Sequence, residues 1–70
     1  MTGELDLYGV LEVAPHARPA VIEAAFGVLR EHAARDQDDA AVRTLVLLNR
    51  AHAILVDPDR RAAYDRERAR

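Results

Sequence analysis

Apolar residues recur at spacings of three and four along two stretches of this chain, which is the pattern of an amphipathic helix. The first stretch runs from Pro19 to about Ala34, and its apolar face consists of Ile22, Ala25, Phe26, Leu29 and Ala33. The second runs from about Ala40 to Val56, and its apolar face consists of Ala41, Leu45, Leu48, His52 or Ala51, and Leu55. The pattern therefore predicts two long helices that each bury one face.

The residues between these helices, Arg35 to Asp39, include no apolar side chain and interrupt the helical period. They predict a tight polar loop, in which Asp38 or Asp39 caps the start of the next helix. A short loop makes two amphipathic helices antiparallel neighbours, with their apolar faces in contact. We therefore expect an all-α fold built on an antiparallel helical hairpin.

A short N-terminal helix is predicted before the hairpin. Asp6 is a good N-cap, because its carboxylate can accept the free N–H groups of the first turn. The helix would extend to about Glu12 and turn Tyr8 and Leu11 inward, with Leu7 as a further candidate. A connector with one proline then leads to the hairpin.

A short C-terminal helix is predicted after the hairpin. Asp57 followed by Pro58 is a start signal, and this helix would extend to about Glu67. Pro19 similarly suits the first position of the second helix, although Arg18 before it is a poor cap.

The predicted core joins the two long helices, and residues of the short helices close its two ends. The hairpin would contribute Ile22, Phe26, Leu29, Leu45, Leu48 and Leu55, and the ends would be closed by Tyr8, Leu11 and Tyr64. Seventy residues suffice for one domain. We place that domain at residues 5–67, with terminal tails at 1–4 and 68–70.

The amino-acid composition argues against several classes of function. The chain contains no Cys, Ser or Lys, and its formal net charge is −2. An acidic balance argues against general affinity for nucleic acid or anionic lipid. No apolar run is long enough to span a bilayer, and no basic segment followed by an apolar run marks a secretory signal. These features predict a protein that binds neither membrane nor nucleic acid. We also expect it to be cytoplasmic and monomeric in isolation.

Several groups of polar side chains are candidates for a ligand site. His32 and His52 do not suffice for a zinc site, which needs three or four convergent ligands, and a packed or edge histidine explains His52 better. Asp36, Asp38 and Asp39 lack the glycine and the distal glutamate of a calcium loop. The C-terminal arginines have only Tyr64 interleaved with them as an aromatic residue, which argues against a nucleic-acid interface. These arginines are Arg60, Arg61, Arg66, Arg68 and Arg70. We therefore expect no metal and no cofactor.

An enzymatic function is not predicted. The chain has no Ser or Cys nucleophile and no glycine-rich phosphate loop. A pair of helices with a thin core also offers little concavity in which to shift a pKa or exclude water.

The order of these elements, together with specific residues, resembles the J domain of the DnaJ co-chaperones. Residues 6–13, Asp-Leu-Tyr-Gly-Val-Leu-Glu-Val, are similar to the family's opening Asp-Tyr-Tyr-x-x-Leu-Gly-Val. Residues 19–29 resemble its second helix, and residues 48–58 resemble its third helix and the Asp-Pro exit. Residues 60–65, Arg-Arg-Ala-Ala-Tyr-Asp, match its closing Arg-x-x-Tyr-Asp. The resemblance covers roughly residues 5–66 and implies a J-domain-like fold.

The chain departs from this family at the motif that carries its activity. J domains activate ATP hydrolysis by a DnaK-type chaperone through a His-Pro-Asp tripeptide at the end of helix two. Aligned on Phe26 and Leu29, that tripeptide falls on Ala34, Arg35 and Asp36, where only the aspartate is kept. The imidazole is lost at the first position, and the rigid φ angle of proline is lost at the second.

The outer face of the second helix also differs from that of the J-domain family. In the family this face is rich in Lys and Arg and meets an acidic patch on the chaperone. Here Arg18, Arg30 and Arg35 are offset by Glu23 and Glu31, and the following loop is shorter than usual. Charge complementarity sets association rates and register, so we expect only a weak partner-binding contribution from Arg30.

The resemblance and its departures imply a degenerate, J-like protein-interaction module that does not stimulate a DnaK-type ATPase. Two alternatives remain open at this point. One is an active or competing co-chaperone of a DnaK-type chaperone, and the other is an adaptor or regulatory domain unrelated to chaperone work. In each case the partner is a protein, and the candidate binding residues are Ala34, Arg35 and Asp36, with Arg30 beside them.

Overall fold

The computed structural model describes residues 6–70 of the chain, and every regular element in that range is a helix. The helices follow in the order α1 (Leu7–Val10), α2 (Pro19–Arg35), α3 (Asp39–Leu55) and α4 (Pro58–Arg68). The all-α prediction is confirmed, and so is the pairing of the two long helices as a hairpin. The predicted tail at residues 1–4 lies outside the described residues.

The hairpin turn is set by helix caps. Asp36 ends α2 in an extended conformation, and the carboxylate of Asp38 accepts a 2.8 Å hydrogen bond from the backbone N–H of Ala41. Of the two predicted caps of α3, Asp38 is the one used, and Asp39 occupies the first helical turn. At the start of α2, Arg18 makes no side-chain cap, as expected.

The core is centred between α1, α2 and α3. Its most buried large side chains, each less than 2% exposed, are Tyr8, Leu11, Ile22 and Leu55, and Leu48 is 2% exposed. On α3 the inward position is filled by Ala51, whereas His52 is half-buried.

Three residues predicted for the core lie at its edge. Phe26, Leu29 and Leu45 are half-buried and pack against the core without entering it. They take part in the packing, as predicted, but remain half-buried because the fold has few layers. Helix α1 is a single turn, and its buried residues Leu7 and Tyr8 belong to the same cluster as Ile22 and Leu48.

Helix α1 is shorter than predicted because it ends in a Schellman motif. The N–H of Glu12 donates to the carbonyl of Gly9 at 3.1 Å, and the N–H of Val13 donates to the carbonyl of Tyr8 at 3.0 Å. Glu12 lies in the left-handed region with a φ angle of 57°. That conformation stops the helix at Val10 and turns the chain toward α2.

Helix α4 buries none of its own residues. It begins as predicted, since the carboxylate of Asp57 accepts hydrogen bonds from the N–H groups of Asp59 and Arg60. The helix ends at Arg68, one residue beyond the predicted end. It packs against α3, and polar and aromatic side chains join it to α1.

Candidate functional site

The structure places the predicted tripeptide position, defined as Ala34, Arg35 and Asp36, at the exposed end of α2. All three residues are exposed, and Arg35 is the last residue of the helix. The guanidinium of Arg35 lies 3.7 Å from the carboxylate of Glu31, and both side chains are more than 70% exposed. An ion pair this exposed contributes little to stability.

The charge of the hairpin turn is mainly negative. Asp36, Asp38 and Asp39 lie within four residues of one another, and Arg35, the cation next to Asp36, is already paired with Glu31. The turn therefore presents an acidic surface.

Arg30 does not join the tripeptide position. Its guanidinium lies over the ring of Phe26, at 5.4 Å from the centroid, which is a cation–π geometry. Phe26 in turn stacks on His52, with ring centroids 3.9 Å apart, and Nε2 of His52 lies 2.9 Å from the carboxylate of Glu23. These contacts tie α2 to α3 on one side of the hairpin, and His52 is the edge histidine that the sequence predicts.

A shallow cleft of about 330 Å³ lies between α1 and the hairpin turn. It is lined by Val10, Glu12, Leu29, His32, Ala33, Asp36, Asp38, Ala40, Ala41, Thr44 and Leu48. Of the three residues of the tripeptide position, Asp36 is the one that lines this cleft. Among residues 6–70 no group of three His, Cys, Asp or Glu side chains converges closely enough to hold a metal ion.

A second cluster lies at the opposite side of α1 and was not predicted as a unit. We call it the Tyr8 network, consisting of Tyr8, Arg61, Tyr64 and Asp65. The hydroxyl of Tyr8 donates to Asp65 at 2.5 Å and accepts from Nε of Arg61 at 3.0 Å. The hydroxyl of Tyr64 accepts from the N–H of Leu7 at 2.9 Å. The buried phenol is therefore fully hydrogen-bonded.

Arg61 extends the network to the α1–α2 connector. Its Nη2 donates to the carbonyl oxygens of Pro15 and Ala17, at 3.1 and 2.7 Å. The guanidinium also lies 5.4 Å from the ring centroid of Tyr8, and that of Arg68 lies 5.2 Å from the same centroid. One arginine thus links α4, α1 and the connector.

The structure shows how the predicted end-closing residues Tyr8, Leu11 and Tyr64 are arranged, since it places the rings of Tyr8 and Tyr64 together, with centroids 5.8 Å apart. Arg61 and Arg68, two of the five arginines considered for a basic stripe, both lie over Tyr8, and Arg68 also pairs with Asp6 at 3.5 Å. These two residues are committed to intramolecular contacts.

The environment of Tyr8 changes its acidity. Burial raises the pKa of the Tyr8 phenol above its usual value of 10.0, and the hydrogen bond to Asp65 raises it further. Arg61 opposes this shift, because its positive charge and its hydrogen bond favour the phenolate. The net direction is upward, so Tyr8 is a neutral hydrogen-bond donor.

Comparisons with known proteins do not assign the chain to a family. No protein-family model, curated protein or solved structure matches this sequence. Within residues 6–70, no helix is both long enough and apolar enough to cross a bilayer. Functional inference therefore depends on the residues themselves.

Sequence reasoning missed the joint role of Arg61 and Asp65. The signal was present in the Arg-x-x-Tyr-Asp pattern at residues 61–65, because residues three and four apart share one face of a helix. What the pattern does not reveal is the partner of that face, Tyr8, which is 57 residues away from Asp65.

Proposed function

We propose that this chain is a J-like protein-interaction module that does not stimulate the ATPase of a DnaK-type chaperone. The observation that carries the proposal is the exposed tripeptide position, where Ala34 and Arg35 replace the imidazole and the proline of the J-domain trigger. Asp36 is retained at the C-terminal boundary of α2. A methyl group at Ala34 can neither donate nor accept a hydrogen bond.

The charge of the hairpin turn supports the loss of stimulation. J domains meet an acidic patch of the chaperone with a basic helix face. Here the turn exposes Asp36, Asp38 and Asp39, while Arg30 lies over Phe26. Like charges brought together across an interface slow association and weaken docking.

The Tyr8 network supports kinship with J domains. The resemblance depends on the opening pattern with Tyr8 and on the closing Arg-x-x-Tyr-Asp of residues 61–65. These two segments are far apart in sequence, yet their side chains bond one another directly. Their shared role in joining α1 to α4 explains why both patterns are present in a chain that lacks the His-Pro-Asp trigger.

A binding function rather than an enzymatic one is part of the proposal, and so is a cytoplasmic location. The cleft beside the turn is shallow and open, and the chain has no Ser or Cys to act as a nucleophile.

Single-turnover ATP hydrolysis by a bacterial DnaK tests the proposal. An intact J domain is the positive control, and this chain at the same concentration is expected to leave the rate at its basal value. Stimulation comparable to that of the control would overturn the proposal.

A matched double variant probes whether the scaffold still presents a docking face. Ala34→His with Arg35→Pro restores the trigger, and Ala34→His with Arg35→Ala is the control that lacks the proline. Proline at the last residue of α2 removes one helical hydrogen bond, so far-UV circular dichroism must show that both variants remain helical. Partial stimulation by the first variant alone is expected; equal stimulation by both would contradict the assigned role of residue 35.

A further inference from the structure

The outer side of α3 has an unusual composition for a surface helix. Such a helix normally exposes polar residues on the side opposite the core. Val42 and Val46, one turn apart, are 58% and 61% exposed. Arg43 and Arg50 are exposed beside them. We call these four residues the α3 outer face.

Helix geometry shows that this face points away from the core. At 3.6 residues per turn, its four residues fall within an arc of about 100°. The buried residues of α3, which are Ala41, Leu48, Ala51 and Leu55, occupy the opposite side. The two valines therefore have no neighbouring element of this hairpin to cover them.

The two arginines of the α3 outer face are not used inside the molecule. Within residues 6–70 neither Arg43 nor Arg50 forms an ion pair or a hydrogen bond. By contrast, Arg61 and Arg68 are committed to Tyr8, and Arg30 to Phe26. Arg43 and Arg50 are seven residues apart, so they lie on the same side of α3, about 10 Å apart along its axis.

We propose that the α3 outer face binds an amphipathic helix of a partner protein that carries acidic residues at seven-residue spacing beside an apolar stripe. Such a helix would pack its apolar stripe on Val42 and Val46. Its acids, two turns apart, would lie opposite Arg43 and Arg50, as charged residues do at the edges of paired helices. The inference depends on the proposed role in protein binding, but not on kinship with J domains.

A second copy of this chain is a less suitable occupant of the same face. After Asp39, α3 contains no acidic residue. Two α3 outer faces in contact would bring four arginines together against only two aspartates, Asp39 at the N-terminal end of each α3, and this excess of positive charge is repulsive. An anionic membrane is also less suitable, because the chain as a whole carries a net charge of −2.

A pair of synthetic peptides tests the proposal. Each has about three heptads, with Leu at the core positions and Ala elsewhere, and with either Glu or Lys at the flanking positions. Titration into the ¹⁵N-labelled chain is followed by amide chemical shifts. The Glu peptide is expected to shift the amides of Val42, Arg43, Val46 and Arg50, and the Lys peptide to leave them unchanged.

Charge reversal gives the decisive comparison. Arg43→Glu with Arg50→Glu is expected to weaken binding of the Glu peptide roughly tenfold and to create binding of the Lys peptide. The control is Arg18→Glu with Arg66→Glu, which changes net charge by the same amount at two other exposed arginines without ion pairs. The control variant should retain the original preference.

Four outcomes would overturn the proposal. These are an absence of shifts on the α3 outer face, equal binding of both peptides, self-association of the chain through this face in sedimentation, and binding of the chain to phosphatidylglycerol vesicles through it. Shifts confined to α2 would refute the α3 assignment and leave protein binding intact. Stimulation of DnaK would refute the proposed loss of activity and leave the peptide result unaffected.

Discussion

The phenol of Tyr8 and the carboxylate of Asp65, 57 residues apart in sequence, are joined by a hydrogen bond of 2.5 Å. Tyr8 is only 1% exposed, whereas Asp65 lies on a helix that buries none of its own residues. This bond, together with Arg61 and Tyr64, anchors α4 against α1.

Removing the Tyr8 hydroxyl tests this anchor. Tyr8→Phe keeps the ring but deletes the bonds to Asp65 and Arg61, both to charged groups, so a loss of about 1–3 kcal/mol in the free energy of unfolding is expected. Urea denaturation measures it. Glu67→Gln removes only an exposed ion pair with Arg70 and should have no measurable effect. Equal stability of Tyr8→Phe and the parent would contradict the anchoring role.

The raised pKa of Tyr8 predicts a loss of stability at high pH. A group whose pKa is higher in the folded state stabilises the fold fully below its unfolded pKa of about 10, and this contribution is lost as pH rises through the folded pKa. The free energy of unfolding should therefore fall above about pH 10. The decline should be smaller in Tyr8→Phe. Equal pH dependence in the two proteins would show that another group is responsible.

Glu12 occupies a backbone conformation that favours glycine. Its φ angle of 57° costs a residue with a side chain roughly 1–2 kcal/mol, and part of that is recovered by glycine at the C′ position of a helix. Glu12→Gly is expected to raise the free energy of unfolding by about 1 kcal/mol. Glu12→Ala keeps the Cβ atom and should give no such gain. Thermal and urea denaturation compare the three proteins, and a glycine variant less stable than the alanine variant would be inconsistent with this conformation.

Burial predicts a clear order of truncation effects among the leucines of the hairpin. Leu48 is 2% exposed and Leu29 is half-buried. Leu48→Ala should cost about 2–5 kcal/mol, enough to unfold a domain this small, and Leu29→Ala should cost less. Val46→Ala, on the exposed side of α3, serves as the control with little effect. The reverse order for the two leucines would mean that the hairpin packs in a different rotation.

The hairpin was predictable from local information. The apolar spacing of α2 and α3, the polar turn and the capping aspartates are all properties of neighbouring residues, and each places an element boundary to within a few residues. Asp38 and Asp57 cap their helices as the sequence indicates. The end of α1 was not predictable in this way. A glycine at position 12 would have indicated a left-handed conformation, whereas a glutamate does not.

The candidate site was only partly predictable. That Ala34, Arg35 and Asp36 share an exposed turn follows from their place at the end of an amphipathic stripe. The roles of Arg61 and Arg68 do not follow, because an arginine on a short helix is equally suited to solvent, to nucleic acid or to an aromatic face. In the structure both guanidinium groups lie over the ring of Tyr8, a residue near the other end of the chain.

The wide sequence separation of the Tyr8 network also bears on how the chain assembles. The contacts between α2 and α3 close over a tight turn, so their loop-closure entropy is small, whereas those between α1 and α4 need nearly the whole chain to be in place. The hairpin can therefore form early, α4 can pack on its sequence neighbour α3, and the bonds between α4 and α1 form last. Weakening the network should accelerate unfolding while leaving the folding rate nearly unchanged.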